Sequence, residues 1–177
     1  MSLIYYPDLA LLKKCKSVPN TDKSQQHIIC YRLELAKAMW KIMDHHGGVG
    51  LAAPQVGLNI RMFVWKHYGI NLAIWNPILT WLDGEIESTE GCLSLPNVQV
   101  TIKRATKSDL SGSHIQGLPN RNNVSSKIKL FGDSSITRIW QHEIDHLDGK
   151  LIIDNMNRQE RITNRDAMQT LLKNAGV

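Results

Sequence analysis

The sequence reads as an α+β protein. Three observations predict this: a long amphipathic helix near the start, a series of short apolar or alternating runs in the middle, and helical patterns that close the chain.

Residues 25–46 form the clearest helix. Ile29, Leu33, Ala36, Trp40 and Met43 recur at helical spacing and make one apolar stripe. Gly47-Gly48 stops it, as glycine commonly does. Arg61–Trp65 and Leu72–Trp75 read as strands, and Asn76-Pro77 closes the second. Val98–Ile102 alternates and reads as another strand. Residues 109–126 are rich in Ser, Gly, Asn and Pro and read as an irregular loop, with a short strand near Ile128–Phe131. Asp133-Ser134-Ser135 offers a helix N-cap. The helix that follows runs to about Gly149, and a last helix is expected over Arg158–Lys173.

Composition sets outer limits. The chain has 177 residues, enough for one domain with a full core, and residues 1–177 are expected to form a single domain. Apolar content is 42% and charged content 21%, both ordinary for a globular protein. No apolar run reaches the length of a membrane span, so no membrane association is expected. The N-terminus has neither a basic n-region nor a signal-type apolar stretch, which points to action where the protein is made. Cys15, Cys30 and Cys92 show no framework spacing. That favours a reducing compartment.

The net charge is +5, and residues 101–130 account for it: Lys103, Arg104, Lys107, Arg121, Lys127 and Lys129 stand against Asp109 alone. Such a segment could meet a polyanion such as RNA, or be a solvated basic loop. No aromatic residue is interleaved with the charges before Phe131, which weakens a single-strand-binding reading.

The most informative stretch is His142-Glu143-Ile144-Asp145-His146. On a helix the two histidines lie one turn apart on one face and can grip one metal ion. Glu143 beside the first can exchange a proton with a metal-activated water. An amphipathic helix with two surface histidines would show the same five residues. A catalytic site needs a third protein ligand. Ile152 occupies the place where the longer histidine pattern of one protease class would put its third histidine. A downstream carboxylate, Glu160 or Asp166, would make a zinc peptidase. Cys92, within Glu90-Gly91-Cys92-Leu93-Ser94, would supply a thiolate, a strong soft ligand. A third stretch, Gly48-Val49-Gly50-Leu51-Ala52-Ala53-Pro54-Gln55, is built of small residues and ends in an amide able to donate to a developing oxyanion.

Together these three stretches resemble the peptide deformylase family, whose patterns are G-x-G-L-A-A-x-Q, E-G-C-L-S and Q-H-E-x-D-H. All three are complete and in order here, with Gln141 before His142. Pro7-Asp8 and Leu11-Leu12 are similar to the family's opening segment. The resemblance implies antiparallel β-sheets packed around a central helix carrying the H-E-x-D-H motif, with N- and C-terminal helices. It implies one divalent metal ion held by Cys92, His142 and His146, with Fe2+ in the cell and Zn2+, Ni2+ or Co2+ able to substitute. The implied reaction removes the formyl group from the N-terminal formyl-methionine of new polypeptides and releases formate. Glu143 is the implied acid/base. Gln55 and the Leu93 backbone N–H are the implied oxyanion donors. Val49, Gly50 and Ile139, with the face of His142, are candidates for the methionine pocket. Glu90 and Arg104 would form an ion pair steadying Gln55 or the Cys92 loop, and Asp145 could orient a ligand histidine.

The chain departs from the family at Gln99, where many members carry an arginine that meets substrate, and over residues 105–135. Nascent formyl-methionyl peptides are the implied partners, with the ribosome a further one. A monomer in the cytoplasm of a bacterium or a virus-infected bacterial cell is expected, an organelle less so without a transit peptide. A basic ribosome- or RNA-binding module with a structural metal is the non-enzymatic alternative. A structural site would need a fourth ligand, and no second Cys or His adjoins Cys92. His45 and His46 are adjacent, point about 100° apart, and read as surface histidines at a helix end.

Overall fold

Met62-Phe63-Val64-Trp65 is apolar at four successive positions, and successive strand side chains point to opposite faces, so both faces must be covered. The computed structural model describes residues 1–21, 24–116 and 124–176, and it covers both. Its elements run α1 (Gln26–His45), β1 (Gly50–Ala52), β2 (Met62–His67), β3 (Ile70–Asp83), β4 (Ile86–Cys92) and β5 (Leu95–Arg104). Then come β6 (Lys107–Gln116), β7 (Val124–Asp133), α2 (Ser134–Leu147), α3 (Arg158–Thr163) and α4 (Arg165–Asn174).

The described strands form two antiparallel sheets. One is ordered β1-β2-β3-β6-β7 and the other is the β4-β5 hairpin. Met62, Val64, Ala73 and Trp75 face α1, whose Ile29, Ala36, Met39 and Met43 are fully buried against them. Phe63, Trp65 and Ile74 face the other way and meet Ile136, Trp140 and Leu147 of α2. The expected stripe on α1 is present: Ala36 and Met43 lie at its centre, and Leu33 and Trp40 at its flanks. The opposite side of α2 faces the hairpin, as the bond from His142 to Glu90 of β4 shows. The architecture is α+β, with sheets packed around the helix that carries the paired histidines.

Four local expectations are corrected. Asn76-Pro77 does not close its strand: β3 continues to Asp83 past a register shift between Trp75 and Ile78. Asn76 takes φ +49°, which asparagine tolerates better than most residues. Its amide bonds the Val18 N–H at 2.9 Å and the Val18 carbonyl at 2.8 Å.

Of the expected irregular loop over residues 109–126, the described residues 109–116 and 124–126 are strand. Lys107–Gln116 and Val124–Asp133 pair as a long hairpin, and residues 117–123 lie outside the described residues. Alternation exists here, but in small and polar side chains. Ser108 and Leu110 are fully buried, a Cβ on Gly112 would strike Ile74, and His114 Nδ1 bonds the Ala73 carbonyl at 2.9 Å.

The single C-terminal helix is two helices, broken at Asn164. Asp133 stands at the N-cap of α2 as expected, but its side chain makes no capping bond. β4 carries no apolar alternation that would mark it as a strand: its buried or half-buried Ser88 and Glu90 are polar.

Candidate active site

The Val98–Ile102 alternation belongs to the longer β5, which buries Leu95, Val98, Val100, Ile102 and Arg104 in turn. That anchors the hairpin, and Cys92 sits at the end of its first strand, beside a bulge after Gly91. On α2, His142 and His146 project one turn apart, their rings 5.0 Å between centroids. One ligand atom each from Cys92, His142 and His146 lies within 4.8 Å of the others. Among the described residues no other such group forms. Glu160 is elsewhere, accepting the Thr101 N–H at 2.7 Å, and Asp166 opens α4. The carboxylate-ligand alternative therefore loses its third ligand.

The chemistry of the donor set fits a divalent cation with one position left open. Cys92 Sγ lies 3.2 Å from His146 Nε2. Burial lowers His146 well below the usual imidazole range, which keeps it neutral and able to ligate. Burial opposes a charge on His142 too, yet Cys92 and Glu90 raise it well above that range. Cys92 and Glu90 thus favour a positive charge at His142.

His142 Nδ1 donates to Glu90 at 3.0 Å, leaving Nε2 to face Cys92 and His146. Arg104 grips Glu90 with two bonds of 2.9 Å and reaches Asp145 at 2.6 Å. Burial alone would raise the Glu90 carboxyl, but hydrogen bonds from His142 and Arg104 outweigh it and hold the group at about 2. The Glu90–Arg104 pair is as expected, but what it steadies is different. It orients His142 directly, in the carboxylate–histidine arrangement that fixes metal ligands. Asp145 touches no ligand and holds Arg104.

Gln55 is fixed separately. Its Oε1 accepts the Ala52 N–H at 2.8 Å, and its Nε2 donates to Ser94 Oγ at 3.2 Å and towards Cys92 Sγ at 3.5 Å. The amide donor therefore points at the ligand cluster. Glu143 is 3% exposed, and its Oε2 has no partner. Burial pushes its carboxyl up to about 7. A nearby cation would lower it again.

A cavity of about 830 Å³ opens onto this cluster. Val49, Gly50, Leu93 and Ile139 line it, as does His142. Val49 is 58% exposed and forms the rim. Gly50 plays a further part: a Cβ there would overlap Glu143 Oε1 and lie 2.9 Å from its Cδ. Glycine makes room for the carboxylate. His45 and His46 lie outside the cluster, edge to face at the end of α1.

The polypeptide deformylase sequence profile matches residues 1–162. The chain belongs to that family. The Thermotoga maritima peptide deformylase is 32% identical over 169 residues, covering 95% of this chain and 94% of the relative. A Dictyoglomus turgidum peptide deformylase is 35% identical over 147 residues, 83% of this chain and 86% of the relative. The crystal structure of the Thermus thermophilus peptide deformylase superposes with a TM-score of 0.79 at 30% identity, covering 98% of each chain. As a member of this family the protein is a metal-dependent hydrolase.

Three residues of this deformylase's site were given no role in the sequence reading, although Ser94 closes the E-G-C-L-S stretch. Ser94 is fully buried and anchors Gln55. Ser88 lines the cavity from β4, and Arg138 lines it from α2. Arg138 could have been found, because it precedes His142 by one helical turn.

Proposed function

We propose that this chain hydrolyses the N-formyl group of formyl-methionyl nascent peptides, releasing formate and a free α-amine. One observation carries the reading: the unpartnered Glu143 carboxylate oxygen stands beside the convergent Cys92, His142 and His146, in an open cavity. Cys92 Sγ and the two imidazoles would hold a divalent ion, Fe2+ in the cell, with Zn2+, Ni2+ or Co2+ able to substitute. The bound ion supplies Lewis acidity, lowering the pKa of a water and polarising the formyl oxygen.

Glu143 accepts the proton of the attacking water and returns it to the leaving amine. The Gln55 amide and the Leu93 N–H donate to the oxyanion formed at the formyl carbon. Val49, Gly50 and Ile139 border the space for the substrate's first side chain. Residues 1–177 act as one catalytic domain, as a monomer, in the cytoplasm of a bacterium or a virus-infected bacterial cell. The ribosome is a weak, salt-sensitive partner.

Anaerobically purified protein should release formate from formyl-Met-Ala-Ser. Cys92→Ala should lose metal and activity together, whereas Glu143→Gln should keep its metal and lose about 10²–10⁴ in turnover. Full metal content in Cys92→Ala would remove that ligand from the assignment. Metal analysis of the wild type identifies the ion.

A further inference from the structure

The cavity follows β2 beyond the level of Glu143. Gly50 lies against the Glu143 carboxylate and pairs with Trp65 of β2. Lys66, His67 and Tyr68, the next three residues, line the same cavity. A strand rises about 3.3 Å per residue, so Tyr68 stands about 10 Å along the strand from the level of Gly50.

Tyr68 and Gly69 form the two-residue turn between β2 and β3, closed by the His67–Ile70 pair. Both take positive φ, +47° and +77°. Hairpin turns of this form favour Asn-Gly, because those residues enter the left-handed region at little cost. A tyrosine there is strained, since its bulk crowds the backbone. Packing does not explain the choice either. Tyr68 is 92% exposed, and its ring rests on that of His67, with centroids 4.2 Å apart. A strained, unpacked side chain at the mouth of the reaction cavity is one displayed for a ligand.

We infer that Tyr68, backed by His67, is a specificity residue that receives the third side chain of the formylated peptide and favours an aromatic or large apolar one. This rests on the deformylase reading of the site. An extended chain advances about 3.3–3.6 Å per residue, so its third residue lies about 10 Å from the formyl group. β1 is the edge of its sheet, with β2 on one side only, so an extended peptide has room to lie beside it. The exposed ring offers an apolar face that pairs well with another ring. The carboxylates of the cavity lining, Glu90 and Glu143, belong to the ligand cluster, so nothing at the Tyr68 end draws a basic side chain. Lys66 is already bonded to Asp44 at 2.6 Å, so an acidic one gains little.

Three peptides test this by formate release: formyl-Met-Ala-Phe-amide, formyl-Met-Ala-Ala-amide and formyl-Met-Phe-Ala-amide. The first should exceed the second in kcat/KM by about five- to tenfold, mostly through KM, as expected of one aromatic pair with its buried area. The third moves the same ring one residue closer to the formyl group and should show less of the gain. Tyr68→Asn suits the turn better than tyrosine does and removes the ring, so the ratio of the first two peptides should fall to about one. Tyr68→Phe keeps the ring face and should keep the ratio. A wild-type ratio near one, with formate still released, overturns the inference and leaves the deformylase reading standing, whether or not any variant folds. An equal or larger gain from the second position also overturns it. So does a ratio that survives in folded Tyr68→Asn or is lost in folded Tyr68→Phe. No formate from any of the three peptides, with metal bound, overturns the deformylase reading and this inference with it.

Discussion

A methyl group at Gly50 would overlap the Glu143 carboxylate, so Gly50→Ala tests how tightly that group must be placed. The variant is expected to fold and hold its metal, yet lose on the order of 10²-fold in kcat, the usual cost of misplacing a reacting group by an ångström. Unchanged kcat would show that Glu143 works from more than one position. At this scale much of the site was legible. Two histidines one turn apart offer a ligand pair by helix geometry, and the blocks around Cys92 and Gln55 completed the pattern. The orientation of His142 by Glu90 was not legible. It depends on β4 lying against α2, a tertiary fact to which neither residue's neighbours in sequence point. The role of Gly50 was hidden for the same reason, since a close approach across elements leaves no local mark beyond the glycine.

Asn164 shows what the break between α3 and α4 accomplishes. Its side chain accepts the Gln99 N–H at 3.0 Å and donates to the Gln99 carbonyl at 2.9 Å, so it pairs with the open edge of β5 as another strand would. Asn164→Ala leaves both groups unsatisfied. It should cost about 2–4 kcal/mol in denaturant unfolding, and a change under about 0.5 kcal/mol would mean that water replaces it readily. Glu160 extends the edge by accepting the Thr101 N–H, and this bond and that from Asn157 lower its pKa. A carboxyl lowered on folding adds stability above its unfolded pKa, and that stability fades as pH falls through the folded value. Wild type should therefore melt above Glu160→Gln at neutral pH, with the gap closing in acid. A gap independent of pH would exclude the charge as its source.

The order of helices and strands was largely legible because apolar periodicity marks α1 and β5 and a continuous apolar run marks β2. β6 failed the same test because its inward positions are Ser108, Leu110, Gly112 and His114, which pack through size and hydrogen bonds. The end of β3 was misread because a bulge lets a strand pass through Asn-Pro.

Across the whole molecule the positive charge is less free than its count suggests. Lys129 meets Asp109 at 2.7 Å, Lys103 meets Glu85 at 3.0 Å, and Arg104 serves Glu90 and Asp145. Arg121 lies outside the described residues. Reversing Arg121, Lys127 and Lys129 to glutamate should weaken ribosome co-sedimentation at low salt while leaving formyl-peptide hydrolysis nearly unchanged, with Lys129 contributing least. Co-sedimentation unaltered across a salt titration would make these charges an ordinary solvated surface.

The ligands come from separate parts of the architecture: Cys92 ends a strand of the small hairpin, while both histidines ride on the helix that the large sheet buries. A cation shared between them is therefore also a cross-link, closing the long stretch of chain between Cys92 and His142. Binding that favours the native state adds to its stability by mass action, about 1.4 kcal/mol for each tenfold rise in free metal above the dissociation constant. Thermal unfolding should shift upward with metal concentration and fall sharply on chelation, and a melting temperature indifferent to metal would contradict the cross-link. Oxidation of Cys92 would then do more than stop turnover: it would remove the metal's tie between hairpin and helix, leaving the His142–Glu90 and Arg104–Asp145 bonds to hold them together, and so lower the melting temperature.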